Sequence, residues 1–362
     1  MERGELREKI ISGIQQIGIG VTNLKEAWKW YREHFGMDIR IFEEEATADL
    51  MLPYTGGKPQ SRHAALALNL QGGGGFEIWQ YTDRIPEAPK VQVHLGDLGI
   101  NAAKIKSRDV RATYELFRAK NQNVNGIGKD PSGIEHFFMR DPYDNIFQVI
   151  GGNGWFKDEK KLTGATYGAL IGVSDIDKAR KLYSGILGYE ELVYDVEGQF
   201  DDLKPLPGGT QTFRRTLLKS SNSWRGSFSR LFGPSQIELL EVKDREPNKI
   251  YEGRQWGDLG FIHLCYDVIG MNALRKECQQ KGFPFTVDSS STERHENTFD
   301  MGEAAGHFSY IEDPDGTLIE FVETHRIPIF KKIGWYLNLR KRNPEKALPD
   351  WLLRSLSFNR VK

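Results

Sequence analysis

The sequence predicts an α+β fold: four βαβββ modules that pair into two curved, barrel-like mixed sheets. Three observations lead there. A strand, a capped amphipathic helix and a set of return strands recur four times along the 362 residues, and recurrence at a fixed order marks a repeat architecture. Two of the copies close with an Asp-Pro turn that launches a strand, Asp141-Pro142-Tyr143-Asp144 and Asp313-Pro314-Asp315-Gly316. Finally, one such module is too small to bury its own sheet face, so the copies must pair around a pocket.

In the first copy, residues 13–21 alternate as a strand, and Asn23 followed by Glu26 signals a capped helix start. Leu24, Ala27, Trp28, Tyr31 and Phe35 recur at helical spacing, and Gly36 stops the helix. Strand-like residues 64–69 follow, then four glycines, Gly72 to Gly75, and the strand Phe76-Glu77-Ile78-Trp79-Gln80-Tyr81. The glycines lack the Lys-Ser/Thr of a phosphate loop and read as a hairpin. The second copy has a strand over 101–106, a helix from about 109 to 117 and the closing strand Ile146-Phe147-Gln148-Val149. Gly151, Gly152 and Gly154 with the charged run 157–161 then separate the halves, expected as 10–152 for the first pair of modules and 163–325 for the second. The third copy starts at 166–173, has a helix capped near Ser174 and Asp175, and ends in Gln236-Ile237-Glu238-Leu239. An insertion within it carries Arg214, Arg215, Lys219, Arg225 and Arg230, read as a solvated loop with anion binding as the alternative. The fourth copy runs from Gly260-Phe261-Ile262-His263-Leu264-Cys265 to Leu318-Ile319-Glu320-Phe321.

Composition bounds the function. Lys+Arg 49 against Asp+Glu 50 leaves a formal charge of -1, which gives no reason to expect a nucleic-acid partner. The charged start and the lack of a long apolar run lead us to expect a cytoplasmic protein with no signal peptide and no transmembrane segment. Two cysteines, Cys265 and Cys278, exclude a disulfide framework. Residues 326–362 form a basic extension whose apolar residues, Ile333, Trp335, Tyr336, Leu337, Trp351, Leu352 and Leu356, are expected to pack on the body, with docking on an anionic surface as the alternative.

Aligning the copies on their first strands places Gln16, Ala102, Gly168 and His263 at one equivalent position; aligning on their last strands places Glu77, Gln148, Glu238 and Glu320 at another. Two such positions per module, together with the Asp-Pro-Asp-Gly turn before an Ile-Glu-Phe strand, resemble the vicinal oxygen chelate superfamily, which includes glyoxalase I, extradiol dioxygenases and bleomycin-resistance proteins. The resemblance spans residues 10–325 and implies the glyoxalase-like fold. Module pairing decides the site. If module 1 pairs with module 4, the sites are Gln16, Glu77, His263, Glu320 and Ala102, Gln148, Gly168, Glu238; if 3 pairs with 4, His263 and Glu320 share a site with Glu238. The first arrangement is preferred because its Gln/Glu/His/Glu set resembles that of glyoxalase I.

That set suits one divalent ion, Zn, Ni, Co, Mn or Fe. The resemblance implies a metal-dependent lyase or isomerase that enolises a small oxygenated substrate, with Glu320 as base and Glu77 as its counterpart on the other face. The alternatives are an Fe(II) ring-cleaving dioxygenase using His263, Glu320 and Glu238, or a non-catalytic drug-binding protein. Counting back across a turn at 313–316 puts Ser309 opposite Glu320 with His307 beside it, so His307 is a further catalytic candidate. Cys265 shares a face with His263 and reads as a small core residue. The partner expected is a small-molecule substrate, and the assembly a monomer or homodimer.

Overall fold

The computed structural model describes residues 8–221, 225–291, 299–300, 305–330 and 335–361. The start at residues 1–7 and Lys331, Lys332, Ile333 and Lys362 of the extension lie outside the described residues.

Module 1 comprises β1 (Ile10–Gly20), α1 (Leu24–Phe35), β2 (Ile39–Thr47), β3 (Ser61–Leu68) and β4 (Gly75–Tyr81). Module 2 comprises β5 (Gly99–Ser107), α2 (Val110–Ala119), β6 (Gly128–Lys129), β7 (Glu135–Arg140) and β8 (Ile146–Gly151). Module 3 runs through β9 (Thr163–Gly172), α3 (Ile176–Tyr183), β10 (Glu191–Gly198), β11 (Phe213–Lys219), a short α4 (Ser229–Phe232) and β12 (Gln236–Val242). Module 4 runs through β13 (Gly260–Ile269), α5 (Met271–Gln280), β14 (Val287–Asp288), β15 (Phe299–Asp300), β16 (Ala305–Glu312) and β17 (Leu318–Phe330). The extension adds β18 (Trp335–Asn338) and α6 (Asp350–Arg354).

Local chemistry sets the helix ends where the sequence places them. The Asn23 side chain accepts from the Glu26 amide at 3.2 Å, and Gly36 closes α1 at φ 65, a left-handed conformation that glycine adopts without a Cβ penalty. Asp109 and Asp175 cap α2 and α3 in the same way.

The modules pair as 1 with 4 and 2 with 3. In the first sheet the order is β14-β16-β17-β13-β1-β4-β3-β2, with β15 on β16 and β18 on β17; in the second it is β10-β11-β12-β9-β5-β8-β7-β6. At each centre two first strands run antiparallel, β1 with β13 and β5 with β9, and each is flanked by the parallel last strand of its own module. The principal core lies on the helix-bearing faces, where α1 and α3 bury Tyr31, Phe35, Ile176 and Leu182 among Phe76, Phe147, Ile237 and Leu239.

Matching ties cross between the sheets. The Tyr31 hydroxyl of module 1 donates to Asp141 in the module 2 turn at 2.6 Å, and Tyr183 of module 3 donates to Asp313 in the module 4 turn at 3.0 Å. Burial raises Asp313 to about 6 even though it caps its own loop. The glycine hairpin is a further contact: Gly74 bridges to Thr166 of β9, and a Cβ on Gly73 would stand 2.8 Å from the Thr166 carbonyl. Its glycines permit close approach of two backbones.

The insertion and extension also pack. Arg215 is fully buried rather than part of a solvated loop, while Arg225 and Arg230 pair with Glu345 and Asp350 of the extension. Leu339, Leu348, Leu352 and Leu353 join a core with Ile39, Leu66 and Leu68, whereas Trp351, expected to pack, is exposed; Arg360 pairs with Asp38 and Glu159.

Candidate metal centre

The inner face of the first sheet collects the four residues that the module alignment singles out. Gln16 projects from β1, His263 from β13, Glu77 from β4 and Glu320 from β17, each at most 9% exposed. The Gln16 amide nitrogen lies 3.3 Å from Glu77 Oε2 and 3.2 Å from Glu320 Oε2. His263 Nε2 lies 3.4 Å from Glu77 Oε2 and 3.1 Å from Glu320 Oε2. Glu77, His263 and Glu320 form a group that could hold a metal ion. The spacing fits one: donors about 2.1 Å from a common centre stand about 3.0 Å apart in an octahedron and about 3.4 Å apart in a tetrahedron. Gln16 Oε1 has no hydrogen-bond partner, and a half-turn of the amide would present it to the same centre.

The electrostatics are those of a centre that wants a cation. Burial works against charge on His263, but Glu320 and then Glu77 outweigh it and raise the imidazole to about 9. Glu320 is itself held below its ordinary range, because burial, which would raise it, is overcome by His263 and by hydrogen bonds from Cys265 and Tyr310. Cys265 is fully buried, and its thiol, raised by burial and then by Glu320, also reaches Gln15 Oε1 at 3.7 Å.

Glycine makes room for the imidazole. Gly18 pairs with His263 across the central seam and with Glu77 on the other side, and a Cβ there would stand 2.5 Å from His263 Cε1. Above the donors opens a cavity of about 410 Å³, walled by Met51, Trp79, Trp256, Phe308 and Tyr310. Arg62, paired with Glu44 at 2.6 Å, lies over the Trp79 ring at this cavity.

Two expectations need correction. His307 does not face the centre. Tyr310, not Ser309, pairs with Glu320, and His307 pairs with Glu323. The connecting loop has one more residue than a four-residue turn, since Asp313 N donates to Thr317 O and Asp313 Oδ1 accepts from the Thr317 amide. A one-residue slip turns every side chain of β16 to the opposite face, so His307 stacks edge-on with His325 on the far side while Tyr310 enters the cavity. Glu238, the third ligand of the dioxygenase alternative, belongs to the other sheet.

There the equivalent position has its own cation. Gly168 stands where His263 stands in the first sheet, and Lys104, opposite it, takes the place of Gly18. The Lys104 ammonium meets Glu238 at 2.6 Å; Arg215 meets Glu238 at 2.7 Å and Asp202 at 2.9 Å; and Tyr194 donates to Glu238 at 2.8 Å. These partners hold the Glu238 carboxyl well below its ordinary range against full burial, Arg215 contributing most and Lys104 next. Leu203 and Leu206 from the insertion pack in one apolar cluster with Ala102, Phe138, Leu170 and Leu240 of this sheet. Sequence reading identified the degenerate site but missed the lysine and arginine that replace an ion. The signal was a lysine two residues after Ala102, on a strand that also carries Asn101 and Lys106.

Family models for the glyoxalase/bleomycin resistance protein/dioxygenase superfamily match residues 13–149 and 169–299. Among solved structures, a putative dioxygenase from Bacillus subtilis is similar with a TM-score of 0.56 at 15% identity, covering 98% of each chain. Glyoxalase I from Zea mays is similar with a TM-score of 0.51 at 14% identity, covering 87% of this chain and 92% of that one. Comparison of the sequence with curated proteins finds no match. No helix among the described residues is long and apolar enough to cross a membrane. With two matched regions, one in each half, and the paired curved sheets, the chain belongs to the glyoxalase/bleomycin resistance protein/dioxygenase superfamily.

Proposed function

We propose that this protein is a metal-dependent lyase or isomerase of the glyoxalase type, which enolises a small oxygenated substrate at one divalent ion held by Gln16, Glu77, His263 and Glu320. The observation that carries this reading is the convergence of one amide, one imidazole and two carboxylates at 3.1–3.4 Å from strands at opposite ends of the chain. A single imidazole with two carboxylates departs from the two-histidine, one-carboxylate set of non-haem iron oxygenases. When bound, the ion supplies a Lewis acid for negative charge developing on a substrate oxygen.

The chain's own groups do the rest. Glu320, oriented by Tyr310 and Cys265, is placed to take a carbon-bound proton through a carboxylate oxygen, and Glu77 faces it as the acceptor or donor on the opposite side. Trp79, Trp256, Phe308 and Tyr310 exclude water around that proton.

The test is metal analysis of the purified protein combined with anaerobic exchange of solvent deuterium into α-hydroxy ketones. One ion per chain is expected, together with oxygen-independent exchange. Glu320→Gln should abolish exchange, whereas His307→Ala should leave it within threefold of wild type. Absence of bound metal, or exchange that survives Glu320→Gln, would refute the assignment.

A further inference from the structure

A second cavity of about 420 Å³ lies beyond the metal pocket, against the 313–317 loop and the start of β5. Tyr54, Leu98, Ile100, Tyr251, Phe261 and Thr317 are among its walls. Among the described residues, Trp256 is the one residue common to this lining and to that of the metal pocket. The indole lies near-parallel to the His263 ring (6.2 Å, 14°) and edge-on to Trp79 (4.1 Å) and Tyr310 (6.2 Å).

It is held there from several directions. The Trp256 amide donates to Tyr54 O at 2.9 Å, and the Tyr81 hydroxyl donates to the Trp256 carbonyl. Gln255 N donates to Asp258 Oδ2 at 2.7 Å, and Arg84 pairs with Asp258 at 2.9 Å. Gly257 adopts φ 95, and a Cβ on it would stand 2.4 Å from Trp79 Nε1, so the loop passes directly over the Trp79 ring. Tyr54 is fixed in turn by donating to Glu312 at 2.7 Å. These bonds fix the Trp256 backbone, and packing against His263, Trp79 and Tyr310 holds the indole as a wall.

We propose that Trp256 is the partition that sets substrate length. The substrate presents its oxygens to the metal centre on a short body that ends against the indole, and the second cavity is closed to it. This rests on the metal-centre reading for the head group. The partition itself stands on the two cavities and their shared wall.

Two measurements test it. The first titrates Zn²⁺-loaded protein with straight-chain alkyl hydroxamic acids of increasing length, by calorimetry. In the wild type, affinity should rise with each added methylene until the chain meets the indole and then drop at least tenfold. In Trp256→Ala the drop should vanish. Adding Leu98→Trp, which refills the second cavity, should restore the drop. The second measurement needs no metal. Crystals of metal-free wild type and Trp256→Ala, soaked in 1-octanol, should show the chain stopping at the indole in the wild type and running through both cavities in the variant. Trp256→Leu serves if the alanine variant does not fold. A length profile unchanged by opening the wall, or a chain crossing the plane of Trp256 in the wild type, overturns the proposal. Failure of Zn²⁺ to bind, with the octanol result as expected, would instead count against the metal-centre reading alone.

Discussion

Gly18→Ala adds one methyl group and puts it where the candidate centre can least accept it. The new Cβ would stand 2.5 Å from His263 Cε1 and 2.8 Å from both ring nitrogens. Non-bonded carbons are comfortable at about 3.5–4.0 Å, so the imidazole must move about 1 Å. Trp256 and Tyr310 pack against the ring and leave little room for that movement. Overpacking of this kind costs about 1–3 kcal/mol of stability. The larger effect falls on the metal, because the move carries Nε2 away from the 3.1 Å and 3.4 Å separations it keeps from Glu320 and Glu77. Perturbing the orientation of a ligand weakens metal binding by about 10- to 100-fold. At free Zn²⁺ equal to about 100 times the wild-type dissociation constant, binding should stabilise the wild type by about 2.7 kcal/mol, and a variant weakened about 100-fold by only about 0.4 kcal/mol. Thermal melts with and without Zn²⁺, alongside a competition titration with a chelating dye, read this directly. Gly126→Ala, where a Cβ meets nothing within 4 Å, is the neutral control. A Zn²⁺-induced shift in Gly18→Ala equal to that of the wild type would refute the reasoning.

Lys104→Met strips one of two cations from a fully buried carboxylate, and breaking a buried pair costs about 3–5 kcal/mol, so urea melts should show a loss near the lower bound because Arg215 remains. Metal content should stay at one ion per chain, and a second ion in the wild type would contradict the substitution of ammonium for metal. Asp267 is fully buried with Oδ2 unpartnered, and burial raises its carboxyl to about 7 against about 3.9 unfolded. The folded state therefore binds the proton more tightly, and stability falls as pH rises from about 4 to about 7. Asp267→Asn should be more stable than the wild type at pH 8, by at most about 4 kcal/mol, and near-equal at pH 4; equal urea midpoints at pH 8 would show that the carboxylate is solvated.

The repeat was legible because its punctuation is local. The Asn23 cap, the Gly36 stop and the Asp-Pro loops act within a few residues; the cap and the stop fell where the sequence placed them, and the 313 loop did so to within one residue. The choice between module pairings was legible from side-chain chemistry, since the preferred pairing gathers Gln16, Glu77, His263 and Glu320 at one place. Register was harder to read. One residue in the 313–317 loop decides whether Ser309 or Tyr310 faces Glu320, and Asp313 settles this through a bond to Thr317 that turn propensity does not specify. Trp256 and the Leu203 and Leu206 plug lie between the repeats or in an insertion, where no second copy exists to compare. Lys104 escaped notice because a buried ammonium in a strand is explained only by Glu238, 134 positions away.

That separation is larger still at the metal centre. Gln16 and Glu320 are 304 positions apart, and β1 and β17 flank the same strand, β13. During synthesis the first donor therefore emerges long before the last, and module 1 must wait for module 4 before its inner face has a partner. Tyr31 can dock on Asp141 in the meantime, which gives the early half a hold on its neighbour while the sheet it belongs to is incomplete. A chain cut short before β17 keeps Gln16, Glu77 and His263 but lacks the Glu320 carboxylate, so the set proposed to hold an ion is complete only once the fourth module has been made.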